Sequence, residues 1–125
     1  MKKVLKFIWL FSSLAFTHQA FSFDIFAGKD FNNTGTLNNS YLNITALNKI
    51  INNGTLSGAE LNLTSRELTG NGLIKASYIT SYSDTFTYTG TIECLAYCEF
   101  HVNEKFDQNM FTRKGHGQFK IIVSD

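Results

Sequence analysis

A glycine returns at nearly constant intervals through the middle of this chain, each time with an aliphatic residue two positions later. The four instances are Gly35-Thr36-Leu37, Gly54-Thr55-Leu56, Gly72-Leu73-Ile74 and Gly90-Thr91-Ile92, with steps of 19, 18 and 18 residues. Other positions keep the same frame. Phe31, Ile50, Leu68 and Phe86 stand four residues before the glycines. Leu42, Leu61 and Ile79 stand seven residues after the first three, and small Ser40, Ala59 and Ser77 five residues after them. Ile44 and Leu63 stand nine residues after the first two, so that Leu42-Asn43-Ile44-Thr45 returns as Leu61-Asn62-Leu63-Thr64. The frame weakens at Ser81, where an aliphatic is due, and fails beyond Gly90, where Tyr97 and Glu99 occupy the two columns. The repeat therefore runs over residues 31–92.

A period of 18 to 19 residues constrains the architecture. Leu-Asn-Ile-Thr alternates with period two, which places Leu and Ile on one strand face and Asn and Thr on the other. Asn, Gly and Ser break each unit into two or three such strands, because they accept turn geometry. Coiling the units sets equivalent residues above one another at about 4.8 Å and pairs the strands in parallel. The aliphatic columns then merge into a core that no single unit could form. A glycine at a corner is explained by access to positive φ, or by close approach of backbone from the next coil. The chain has no proline, and a central ladder strand cannot spare its N–H. The reading is all-β: a short parallel β-helix of three to four coils with capping segments. An antiparallel sandwich or meander is the alternative, because nine residues per strand and turn also give an 18-residue period. The abundance of Asn, Gly and Thr and the lack of 3.6-residue spacing argue against helices.

A coil stack leaves strand edges open at both ends, and open edges invite pairing with other chains. Residues 21–30 carry Phe21, Phe23, Ile25 and Phe26 and read as an aromatic N-terminal cap folded over the first coil. Residues 93–125 break the repeat, hold both cysteines and read as a C-terminal cap. Within it, Phe119 to Val123 makes a last strand after a turn at His116-Gly117. Residues 103–110 make a short helix or loop, with Phe106 and Met110 turned inward.

Ahead of this lies the pattern of a secretory leader: a basic start, Met1 to Lys6, then an apolar run from Phe7 to Phe16. Cleavage is expected after Ala20, or as late as Ser22; a buried N-terminal helix is the alternative. The apolar run is shorter than the about 20 residues of a membrane span, so no stable membrane insertion is expected once the leader is gone. The whole chain has a formal charge of +1 from 11 basic and 10 acidic side chains. Lys2, Lys3 and Lys6 belong to the leader, so the remainder is slightly acidic. That excludes binding of nucleic acid by bulk charge, which needs clustered cations; Arg113-Lys114 is only a small basic spot.

Few residues suggest chemistry. Cys94 and Cys98 form an even pair in an exported chain and read as a disulfide. Four residues along an extended strand would hold their Cα atoms about 13 Å apart, so Leu95-Ala96-Tyr97 must bulge or turn. A zinc site from Cys94, Cys98, His101 and His116 has none of the usual ligand spacings. His101 and His116 otherwise read as surface residues. Asp24, Asp30, Glu60, Glu67 and Asp84 are scattered, with no two acids in one frame position, and no serine lies in a nucleophile elbow. No metal or other cofactor is implied. Tyr41, Tyr78, Tyr82 and Tyr88 are candidate exposed aromatics for a glycan surface. Sequons occur at Asn32, Asn38, Asn43, Asn53 and Asn62. Glycans on Asn43 and Asn62 would sit one coil apart, at about 4.8 Å, which favours a bacterial host that leaves them bare.

The units from Asn32 to Thr45 and Asn52 to Thr64, with a looser third from Asn71 to Thr80, resemble the coils of filamentous-haemagglutinin-type exoproteins and related bacterial adhesins. The Gly-x-Ile/Leu coils are also similar, more weakly, to bactofilins. The first resemblance implies a right-handed parallel β-helix, export and surface adhesion; neither carries a binding residue over. The functional expectation is a secreted, cell-surface or periplasmic interaction protein of adhesin-like, non-enzymatic character, whose partner is a protein or glycan surface. The alternatives are a self-assembling structural protein, homo-oligomeric through its end coils, and a protein that binds or processes glycans.

Overall fold

The computed structural model describes residues 22–124, apart from Lys105 and Gln108. The leader therefore lies outside the described residues. These residues form strands and no helix: β1 (Ser22–Ala27), β2 (Phe31–Asn33), β3 (Thr36–Asn38), β4 (Tyr41–Ala46), β5 (Lys49–Asn52), β6 (Thr55–Thr64), β7 (Glu67–Gly70), β8 (Leu73–Ser83), β9 (Thr85–Tyr88), β10 (Thr91–Val102), β11 (Thr112–Lys114) and β12 (Gln118–Val123).

The strands stack in parallel as a β-solenoid of about five turns. Three faces run down the stack. The broad face holds β1, β4, the second halves of β6, β8 and β10, and then β12. A second face is β2-β5-β7-β9. The third holds β3, the first halves of β6, β8 and β10, and then β11. Down the broad face Ser22 lies beside Tyr41, then come Glu60, Tyr78, Tyr97 and Gln118, steps of 19, 19, 18, 19 and 21 residues. The stack thus reaches past residues 31–92 in both directions. β1 is its first rung, lying beside β4 from Ser22 to Ala27, and β12 is the last rung of the broad face.

The inward columns follow the sequence frame. Leu42, Leu61 and Ile79 stack in register, as do Ile50, Leu68 and Phe86, and Leu56, Ile74 and Ile92; nearly all are sealed from solvent. Past Gly90 the frame does not end but slips. Ala76 lies beside Cys94 and Tyr78 beside Tyr97, so Leu95 and Ala96 fill a corner that Ser77 alone fills one turn earlier. Because a one-residue slip exchanges the two faces of a strand, the offsets that found Leu61 and Leu63 land on outward Tyr97 and Glu99. The true column members are Cys98 and Phe100, both buried. Ser81, the misfit in the aliphatic column, is buried and sits in register between Leu63 and Phe100.

Of the two explanations for the repeat glycines, close approach is the one that holds. Gly35, Gly54, Gly72 and Gly90 do not take a left-handed φ. A Cβ on Gly54, Gly72 or Gly90 would instead overlap the carbonyl oxygen of the glycine one turn before it, whereas Gly35, at the head of the column, has open space there. The left-handed glycines are Gly70 at φ 127° and Gly115 at φ 92°.

At the C-terminal end aromatic rings close much of the core. Phe86 lies 5.8 Å from Phe100, 4.9 Å from Phe106 and 5.4 Å from Phe111, measured between ring centroids. The loop that brings in Phe106 and half-buried Met110 contains no helix among its described residues. Arg113 occupies the inward column below Ile92 and lies over the Phe119 ring at 5.0 Å.

Candidate functional site

Cys94 ends the first half of β10 on the third face, and Cys98 begins the inward column of its second half. Their disulfide closes the bulge at Leu95-Ala96-Tyr97, with Cα atoms 6.1 Å apart and both residues fully buried. The bulge is what shortens the separation from its extended value. The turn at Gly115-His116-Gly117 packs on it: the Gly117 N–H donates to the Cys94 carbonyl at 2.9 Å. A Cβ on Gly117 would sit 2.7 Å from the Cys94 sulfur. The bond uses both sulfurs and leaves no thiolates for zinc. His101 lies instead on the outer broad face and His116 in the turn.

Four of the five acids singled out in the sequence have separate local partners. Asp24 accepts from Ser22 and from the Asn43 amide at 2.7 Å, and Asn43 in turn accepts from Asn62 at 2.6 Å, an outward ladder down three rungs. Asp30 accepts from Asn48 at a corner, and Asp84 from Asn103. Glu67 pairs with Lys49 and accepts from Thr87. Glu60 stands between Tyr41 and Tyr78 in register. These contacts tie one turn to the next, and no two of these acids converge on a common point.

The tyrosines divide. Tyr41, Tyr78 and Tyr82 are exposed, the last two by 53% and 50%. Tyr88 is not: it points inward and is fully buried, which corrects its place among the exposed aromatics. Its position on β9 has the parity of Phe86, so alternation turns it into the core. There its hydroxyl accepts from Asn52 at 3.1 Å, and burial, partly opposed by this bond, pushes its pKa from 10.0 up to about 12.

What converges on the outer broad face is a cluster that the frame slip had hidden. Tyr97, Glu99 and His101 alternate along β10 and all project outward. Glu99 accepts from the Tyr97 hydroxyl at 3.3 Å and meets His101 Nε2 at 2.8 Å. His101 lies in register with Tyr82, and their rings stack 4.5 Å apart at 17°. Tyr78 stands beside Tyr97 on the neighbouring rung. Two aromatic rows therefore run down the face, four residues or about 13 Å apart along the strand, with Thr80 and Glu99 between them. A period-two reading of Tyr97-x-Glu99-x-His101, freed from the repeat frame, is the signal that finds this cluster. Since Tyr82 and His101 stack along the solenoid axis, they present ring rims and polar atoms outward rather than a flat ring face.

No family model matches the chain, and no curated protein or solved structure matches it either.

Proposed function

We propose that this protein is an exported, non-enzymatic interaction protein of the cell surface or periplasm, adhesin-like in character, which makes contact through its broad face. The observation that carries this reading is the cluster of Tyr78, Tyr82, Tyr97, Glu99 and His101. Its strands are fixed by pairing on both sides, so the side chains lose little freedom on binding, and tyrosine joins an apolar body to a polar rim. Rim-outward rings suit a protein surface better than the face-on stacking of a sugar. The resemblance of the coils to haemagglutinin-type exoproteins supports the same reading. So does the disulfide, a bond that persists in oxidising compartments. The Asn62-to-Asn43 hydrogen bond fits a host that leaves these sequons bare, since a glycan on the Asn62 nitrogen would crowd the ladder.

The test is binding of residues 21–125 to a panel of purified extracellular-matrix glycoproteins and to glycan arrays. The expected result is saturable binding to a protein partner, weakened at least tenfold by Tyr78→Ser with Tyr82→Ser. Binding that is indifferent to these changes moves the site elsewhere, and binding confined to glycans favours the carbohydrate alternative.

A further inference from the structure

The two ends of the solenoid differ. At the N-terminal end Phe23, Ile25, Phe31 and Leu37 remain half-exposed, whereas their column neighbours one turn below, Leu42, Ile44, Ile50 and Leu56, are fully buried. Phe26 and Leu47, exposed by 65% and 56%, widen this apolar end. Among the described residues each of β1, β2 and β3 has a strand partner on one edge only. Among the described residues the end is thus a ring of three open strand edges around a half-exposed core. The C-terminal end lacks that ring: its second face stops at β9, beneath which Phe106 and Phe111 pack.

We propose that the N-terminal end binds a second copy of this chain, end to end about a two-fold axis. With the leader removed as the proposed export requires, at most two residues precede Phe23, too few to cover three edges. A head-to-tail contact would leave part of that ring unmatched, because the second face of the C-terminal end stops at β9, beneath which Phe106 and Phe111 pack. A two-fold contact brings like end to like end and closes as a dimer.

The edges allow one such arrangement. A two-fold axis through the broad face sets β1 antiparallel to its counterpart and places β2 of each copy against β3 of the other. β2 and β3 are both three residues long. Parity fixes the register, because facing residues of an antiparallel pair share a side. Inward residues meet inward residues when Ile25 faces Ile25 of the second copy; Phe23 then faces Ala27 of the second copy, large against small. With β1 about 20 Å long, the contact buries of order 1,000 Å² in total, the low end for a specific interface. The dimer is therefore concentration-dependent.

Sedimentation equilibrium on the full chain and on residues 21–125 tests this. The expected result for residues 21–125 is a reversible rise to twice the monomer mass. Ile25→Lys weakens the association at least tenfold, whereas Val123→Lys at the other end and Tyr78→Ser with Tyr82→Ser leave it unchanged. Ile25→Cys, which disturbs packing less, becomes a covalent dimer on oxidation, because facing Cα atoms at about 4.5–5.5 Å lie within disulfide range. It decides the matter should Ile25→Lys lose its β-sheet circular dichroism. Monomer at all concentrations, a mass that keeps growing, or a dimer formed only by the full chain overturns the proposal. The leader is checked separately, by the mass of the exported protein's N-terminal peptide, so failure of export and failure of dimerisation are told apart.

Discussion

The Asn52 amide reaches across a whole turn of the solenoid to the Tyr88 hydroxyl: 36 residues separate the two, and the donor lies 3.1 Å from the acceptor. Gly70, beside Tyr88 in register, occupies the intervening rung. It has no side chain, and a Cβ there would collide with the Asn52 backbone. The gap at Gly70 is what lets the phenol extend upward. Asn52 also accepts from Asn33 at 2.9 Å and donates to the Leu73 carbonyl at 3.0 Å, so one buried amide joins several turns.

This contact sets an alkaline limit on stability. Burial raises the Tyr88 pKa from 10.0 to about 12, with the Asn52 bond opposing. The folded state therefore holds the proton more tightly than the unfolded chain. The stabilisation is complete below pH 10 and is lost as pH rises from 10 through 12, at up to about 1.4 kcal/mol per pH unit. Urea unfolding across that window should show the fall, and Tyr88→Phe should flatten it. At pH 7 the same variant should cost about 1–3 kcal/mol, because one Asn52 N–H is left unpaired in the core. Equal alkaline slopes in the two proteins would rule Tyr88 out as the cause.

The glycine column predicts a contrast between positions that look equivalent in sequence. Alanine at Gly72 must displace the carbonyl of Gly54, a backbone atom fixed in the ladder. Gly72→Ala should therefore cost about 3 kcal/mol or more, the upper range for overpacking. Alanine at Gly35 meets open space, and Gly35→Ala should stay within about 0.5 kcal/mol. Chemical denaturation of the two variants checks this; similar losses at both sites would mean that the column is held apart by something other than the glycines.

The repeat was legible because stacked columns impose one residue type at one interval. Leu42, Leu61 and Ile79 announce a strand face, and the glycines announce where backbones approach. Legibility stopped at Cys94, since an inserted corner residue changes the interval by one and reverses inward and outward for everything after it. That slip hid the outward Tyr97, Glu99 and His101 and the inward Phe100. Tyr88 was misplaced for a different reason. A tyrosine in a short strand fits either face until its hydroxyl has a partner, and Asn52 is 36 residues away. The N-terminal segment carries phenylalanines where the rungs below carry aliphatics, and its Phe23 and Ile25 lie in the columns of Leu42 and Ile44. Wider side chains belong at an end, where fewer neighbours confine them.

Ser83 offers a gain. Its hydroxyl is buried and, alone among the buried side-chain polar atoms of the described residues, lacks a hydrogen-bond partner. It lies in register with Val102. Ser83→Ala removes a desolvated hydroxyl and leaves a void smaller than a methyl group. It should raise stability by about 1 kcal/mol, seen as a higher urea midpoint with an unchanged slope. A lower midpoint would show that the hydroxyl has a hidden partner.

The disulfide should act locally. It closes a loop of about five residues, for which chain entropy gives about 2 kcal/mol. Its distinctive effect is on the corner it spans: without it, nothing covalent holds the Leu95-Ala96 bulge that shifts β10 back into register. Replacing Cys94 and Cys98 together by alanine keeps small apolar side chains in both columns and should leave the solenoid folded. Amide exchange should then accelerate from Cys94 to Tyr97 and in the Gly115–Gly117 turn, where Gly117 donates to Cys94. It should stay slow in β4, β6 and β7, which lie turns away and pair without β10. Uniform loss of protection along the whole stack would show instead that the bond secures global folding rather than one corner.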